Sequence, residues 1–386
     1  MAMISLEQLG ERLRFAREHA RMSQTEVAQA INLTSAALSQ YEGGKRKVDA
    51  LLLDTLAGLY GMPVGFFFGE ENSIPDWEEA LRLVAAELSP QGKQGVSLLV
   101  EKVRALEELY QVTETLPPGI PHHPFAPLPE KDFANYEVEE YAAKVRDHFA
   151  LGMAPLPDMR SFLEAQGYQV FTVPFGGESS DVSGMFFQHP DLGPIVVVNE
   201  DKSYSRRPYT MAHELCHGSF HYDRPAILCR VHDERPLEAF AERFAAYFLV
   251  PRKALHERLR QFPNGKVSRA EEAVGLARYF GISYSAMVTR LLEEKRLAAP
   301  LPPYWEARPV KLAQSLGYEP SRYEFGTRPL PPEQRLPRSF IELAYRALDE
   351  EKLSLRRIAE MLGISDLELE ERLEALRQEE PEEAYA

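Results

Sequence analysis

Two histidines one helical turn apart, with a glutamate beside the first, stand in Tyr209-Thr210-Met211-Ala212-His213-Glu214-Leu215-Cys216-His217. Residues four apart on a helix share a face, so His213 and His217 can offer two imidazole nitrogens to one Zn²⁺. Glu214 then stands where hydrolysis needs a general base. The bland alternative is a surface helix whose histidines bind nothing. A catalytic zinc takes three protein ligands and keeps a fourth position open. The missing carboxylate is expected from Pro236 to Pro251, which reads as a helix packing through Ala239, Phe240, Phe244, Ala246, Tyr247 and Phe248. Glu238 and Glu242 lie i,i+4 there, so one or both can face the ion; Glu238 is taken as the ligand, with Glu242 left open. Two neutral imidazoles and one carboxylate leave Zn²⁺ net positive, which lowers the pKa of water towards ~7. The same ligand set accepts other divalent ions, Mn²⁺ among them.

The elements that must position these residues can be read around them. Tyr168 to Pro174, Gly184 to Gln188 and Pro194 to Asn199 read as strands of a small antiparallel sheet. Tyr136 to Phe149 and Met159 to Gln166 read as helices, and Pro208 suits the first turn of the motif helix. Helices beside a short sheet make this part α+β. His221, four residues past His217, is expected to support a ligand rather than to bind metal. Tyr204, Tyr209, His221 and Tyr222 all stay open as donors to a tetrahedral oxyanion. Cys216 sits about 100° round the helix from His217, which favours a small buried core residue over a reactive thiol.

The first 70 residues read as five short helices. Leu6, Leu9, Leu13 and Ala16 form an apolar stripe, and Ser23-Gln24-Thr25-Glu26 is a capping box. Thr34 caps a helix holding Ser35, Ala36, Ala37, Leu38, Ser39, Gln40 and Tyr41, stopped by Gly43-Gly44. Two short helices joined by a tight turn form a helix-turn-helix, whose second helix enters the major groove. Lys45, Arg46 and Lys47 follow it and suit the phosphate backbone. Seven Lys/Arg stand against eight Asp/Glu in this segment, so a helical module that binds only protein is the alternative. Ala36 and Ala37 can touch a thymine methyl but cannot hydrogen-bond. Affinity per half-site is therefore modest, and a homodimer on a two-fold operator is the natural arrangement.

At 386 residues the chain suggests two or three domains, and an apolar content of 44% allows sizeable cores. A net charge of −15 disfavours non-specific nucleic-acid binding by the whole molecule, so DNA contact must be local. Two cysteines argue against a disulfide framework. No membrane span or signal-peptide pattern is visible, and a cytoplasmic location is expected.

The expected organisation is 1–70 helix-turn-helix, 71–130 helical and Pro-rich linker, 131–265 zinc peptidase, and 266–386 helical C-terminal region. Within the linker, Val96, Leu99, Val103, Leu106 and Tyr110 alternate three and four apart. That stripe suits a dimer seam or packing on the chain itself. Leu116 to Pro129 carries six prolines and His122-His123, an extended spacer without fixed metal geometry. Val267 to Leu297 reads as two helices with a turn, while Pro300 to Pro337 shows no periodicity. Ile341 to Leu376 has a helix-turn-helix pattern, but residues 340–386 carry a net −8, which favours protein docking over phosphate. Glu379 to Ala386 reads as an acidic tail.

Two resemblances follow. Residues Tyr136 to Pro251 resemble the ImmA/IrrE family of zinc peptidases, through Asp181-Val182-Ser183-Gly184, Pro194 to Asn199, Tyr209 to His221, and Glu238 to Ala246. The resemblance implies Glu238 as third ligand. This chain departs from the family's usual Gly at Cys216 and its usual Asn or Asp at Glu242. Met22 to Ala28, Leu38 to Gly44, Leu51 to Tyr60 and Phe66-Phe67-Phe68 resemble the XRE (Cro/repressor-like) family. That implies Gln24 on phosphate and Ser35, Ala36, Ser39 and Gln40 on base edges, with Thr34 at the helix start. Together they imply a regulatory endopeptidase, bound to an operator through residues 1–70, that cleaves a repressor or antitoxin-like partner in a stress or mobile-element response. Two alternatives stand: a transcription factor whose peptidase-like domain senses or dimerises without proteolysis, and a toxin–antitoxin component.

Overall fold

The computed structural model describes residues 5–19, 22–31, 33–60, 64–68, 77–119, 123–156, 158–177, 180–224, 226–231, 233–318 and 330–379. His122, the tail beyond residue 379, part of the stretch between Pro300 and Pro337, and the side chains of Phe66 and Tyr204 lie outside them.

The N-terminal unit has the five expected helices: α1 (Leu6–His19), α2 (Gln24–Ala30), α3 (Ser35–Glu42), α4 (Ala50–Tyr60) and α5 (Val64–Phe67). The capping box forms: Ser23 Oγ accepts from Glu26 N at 3.2 Å, and Glu26 Oε2 accepts from Ser23 N at 2.7 Å. Leu13, Val27, Leu38, Leu56 and Tyr60 fill a core of its own.

The second core is built on four strands: β1 (Gln169–Val173), β2 (Val182–His189), β3 (Gly193–Asn199) and β4 (Ala226–Arg230), in the order β1-β3-β2-β4. The expectation of an antiparallel sheet needs correction. β2 pairs antiparallel with β3 and β4, but β1 pairs parallel with β3, so the sheet is mixed. The short turn between β2 and β3 permits only a hairpin, whereas β1 pairs with a strand that is not its neighbour in sequence.

Alternation along the strands sends side chains to two faces. Val170, Phe186, Val196, Val198, Ile227 and Cys229 face one helical layer. It contains α8 (Asn135–His148), α9 (Met159–Ala165), α10 (Arg207–Phe220), α11 (Pro236–Leu249), α12 (Arg252–Leu259), α13 (Ala270–Phe280) and α14 (Tyr284–Glu293). Phe171, Val173, Met185, Phe187, Ile195, Val197 and Leu228 face the other. β3 is buried on both sides, which is why it reads as a continuous apolar run.

The opposite face is covered by α6 (Trp77–Ala86) and α7 (Pro90–Val112) and by the C-terminal helices Arg338–Asp349 and Leu355–Leu362. The stripe Val96, Leu99, Val103, Leu106 and Tyr110 is buried there, on the chain itself. The C-terminal helix-turn-helix pattern docks on the same helix: Lys102 Nζ donates to the carbonyls of Glu360 (3.3 Å) and Met361 (3.0 Å). Described residues of the Pro-rich spacer reach the end of α10: Leu128 N donates to Phe220 O, and the His123 ring stacks on Tyr222 at 3.6 Å. Among the described residues no helix is long and apolar enough to cross a membrane.

Candidate metal centre

α10 starts at Arg207 with Pro208 in its first turn and runs buried between the sheet and α11. His213 and His217 therefore leave it one above the other, towards α11. Glu238, in the first turn of α11, meets them: His213 Nε2 lies 3.1 Å from Glu238 Oε2 and 3.1 Å from His217 Nε2, and His217 Nε2 lies 3.5 Å from Glu238 Oε1. Donors about 2.0–2.1 Å from a tetrahedral zinc are separated by roughly 3.4 Å, so these three converge as a metal triad would. Cys229 on β4 completes the group, with all four donor atoms within 4.8 Å of one another.

Glu242 stands elsewhere. Its Oε2 lies 3.6 Å from His213 Nδ1, the ring nitrogen facing away from Glu238. It is placed to hold the ring, while Glu238 sits at the Nε2 atoms. His221 takes the supporting position expected of it, its Nδ1 2.9 Å from His217 Nδ1. Cys216 is fully buried in the core. Of the open oxyanion donors, the Tyr209 hydroxyl is donated to the carbonyl of Glu242 and that of Tyr222 to the carbonyl of Phe125.

Glu214 is fully buried. Its Oε2 accepts from the Cys229 thiol at 3.3 Å, and its Oε1 has no hydrogen-bond partner among the described residues. Burial, reinforced by the charge of Glu238 and opposed by His213, pushes its carboxyl up to about 8. For His213, burial works against protonation, but the hydrogen bond to Glu238 and the close carboxylates of Glu242 and Glu214 win, raising it to about 10. Burial and the neighbouring His213 and His221 hold His217 well below the usual imidazole range. Burial, Arg224 and His213 bring His221 down to about 4. Two imidazole nitrogens and the Glu238 carboxylate gather beside the Glu214 carboxyl. That donor set fits a divalent cation.

Three contributors escaped the sequence reading. Cys229 faces this cluster because strand alternation points it to the α10 side. Arg235 reaches Glu238 Oε1 at 3.4 Å while pairing with Asp233. Gly184 leaves the space Glu214 occupies: a Cβ there would lie 2.6 Å from Glu214 Oε1. Only Gly184, at the start of a run read as a strand, carried any signal of this, and pairing between strands is not written in spacing. A separate grouping of Glu107, His189 and Asp191 has another explanation. His189 Nδ1 accepts from the N–H groups of Asp191 and Leu192, so the ring's proton sits on Nε2, 3.2 Å from Glu107 Oε1, and locks the β2–β3 turn.

In the N-terminal unit, Ala36, Ser39 and Gln40 lie together on an exposed face of α3, with Ser35 half-buried beside them. Thr34 is occupied as the cap, accepting from Ala37 N at 3.1 Å. Gln24, expected on phosphate, donates its amide to Glu42 Oε2 at 2.8 Å. Lys45, Arg46 and Lys47 are exposed, with the Arg46 guanidinium 5.1 Å from the Tyr41 ring centre.

Residues 163–292 match the IrrE N-terminal-like domain, a peptidase family, and residues 8–65 match a helix-turn-helix domain. No curated protein matches the chain. Among solved structures, ComR from Streptococcus suis is 12% identical over 97% of both chains, with a TM-score of 0.17. Bacillus thuringiensis PlcR, in complex with the peptide PapR7 and DNA, is 12% identical over 96% of this chain and 99% of that one, with a TM-score of 0.16. Scores this low establish no shared architecture.

Proposed function

We propose that this chain, which joins a helix-turn-helix domain to an IrrE N-terminal-like domain, is a DNA-binding regulator whose second domain is a zinc-dependent endopeptidase acting on a protein that controls transcription. The observation that carries this reading is the convergence of His213, His217 and Glu238 beside the buried, half-partnered carboxyl of Glu214. A sensor without catalysis has no need of that carboxyl.

His213 Nε2, His217 Nε2 and a Glu238 oxygen would hold the ion; Mn²⁺ suits the same donors. Zinc at such a site supplies Lewis-acid chemistry, polarising a carbonyl and acidifying water. Glu214 Oε1 takes the proton of the attacking water and delivers it to the leaving amine. Its buried Oε1, beside the three converging donors, is placed to serve both transfers. Glu242 and His221 hold the two imidazoles by their outward nitrogens. The exposed face of α3 reads an operator as a dimer, and the substrate is a repressor bound to the same programme.

Glu214→Gln tests the reading against a repressor encoded beside this gene. The variant should retain zinc and lose cleavage by a factor on the order of 10²–10⁴. Retained zinc with an unchanged cleavage rate overturns the assignment.

A further inference from the structure

We infer that Cys229 is a fourth protein ligand of this metal centre and closes, in the resting protein, the position a peptidase needs open. The inference rests on the metal reading above and adds a latency that three ligands alone do not contain.

The case is one of placement. On β4, Leu228 faces the helix Pro90–Val112 side of the sheet, and Cys229 faces α10. Its partner across the ladder is Gly184, whose missing Cβ leaves room for the Glu214 carboxyl that the sulfur meets. The sulfur lies within 4.8 Å of the donor atoms of His213, His217 and Glu238, and all four residues are buried. Cys216 is next to His217 in sequence yet is absent from this group, so proximity along the chain is not what brings a thiol here. Two imidazoles, a thiolate and a carboxylate make a full tetrahedral set, the pattern of closed zinc sites; catalytic sites keep three ligands and a water. Thiolate is also the softest of these donors and holds zinc firmly.

The same sulfur touches the base. Cys229 Sγ lies 3.3 Å from Glu214 Oε2. Coordination would exchange the S–H bond for an S–metal bond and release one proton to solvent. The closed state would fill the open position and keep the sulfur against the carboxyl that serves water. Opening would reverse the exchange, the sulfur regaining a proton as it leaves. Among the described residues β4 is an edge strand, paired only with β2, and its register with β2 is irregular between Val182 and Gly184. It is the element whose displacement would withdraw the sulfur.

Cobalt(II) loaded into the full-length protein tests this without reference to activity. Visible d–d bands report an occupied centre, and a near-ultraviolet thiolate-to-cobalt charge-transfer band reports sulfur in its coordination. The wild-type protein should show both. Cys229→Ser should keep the visible bands and lose the ultraviolet one, and Cys216→Ala should keep both. Zinc affinity of Cys229→Ser should fall by at least the roughly tenfold that losing even an outer partner costs. Visible bands without charge transfer in the wild-type protein overturn the Cys229 assignment and leave the three-ligand centre standing. Failure to bind cobalt at all overturns both. The deciding spectrum is that of the wild-type protein, so it does not depend on whether a variant folds.

Discussion

Nδ1 of His217 faces Nδ1 of His221 at 2.9 Å, so one ring must donate and the other accept. Ligation through His217 Nε2 requires that nitrogen's lone pair, which makes the buried His221 Nδ1 the acceptor. His217 then carries its proton on Nδ1, and its Nε2 lone pair points at the metal donors. The pair sets the tautomer that ligation requires.

His221→Phe removes the acceptor while keeping a ring. Zinc affinity, measured by competition with a chelator, should fall about 10–100-fold. His221→Gln, whose side-chain carbonyl can accept, should recover most of it. Equal losses in the two variants would mean that His221 only fills space.

Gly184→Ala places a methyl 2.6 Å from Glu214 Oε1, 2.7 Å from the Val197 carbonyl and 2.8 Å from Thr210 Cγ2. Two of these neighbours are anchored in the sheet and in α10, so the strain cannot be relieved by one flexible tip. Denaturant unfolding should show a loss of about 1–3 kcal/mol, as overpacking usually gives. Cleavage should fall as well, because Glu214 is displaced. An unaltered midpoint would show that the cradle is looser than these distances require.

Glu42 lies at the centre of the N-terminal unit, accepting from Arg17 Nε at 2.6 Å and from Gln24 Nε2 at 2.8 Å. Glu42→Gln leaves the largely buried guanidinium without its counter-charge. The expected cost is about 3–5 kcal/mol, read from the unfolding of this unit. A change below about 1 kcal/mol would place the pair among those solvated well enough to contribute little.

Gln40→Ala removes the longest polar side chain from the exposed face of α3. Binding to the operator should weaken by about 1–3 kcal/mol while binding to unrelated DNA changes little. Lys45→Ala should weaken both and lower the salt slope by about one. Equal losses on operator and unrelated DNA for Gln40→Ala would mean that α3 does not read bases.

What could be read from the chain was whatever depends on near neighbours. His213 and His217 share a face because of helical pitch, Ser23 and Glu26 cap α2 because they are three apart, and β3 reads as buried because its residues are apolar without alternation. Those relations hold wherever the segment lies in space. The second layer over the sheet was not legible in this way. The stripe from Val96 to Tyr110 is equally suited to a partner helix or to its own sheet, and only the packed chain decides between them. The parallel pairing of β1 belongs to the same class, since strand direction follows from which strand is met, not from its own residues. Cys229 is the clearest case. Nothing in its sequence neighbours ties it to the motif, and Cys216 stands far nearer. Folding β4 beside β2 reverses that order, because the sheet's pleat, rather than distance along the chain, determines which sulfur faces the histidines.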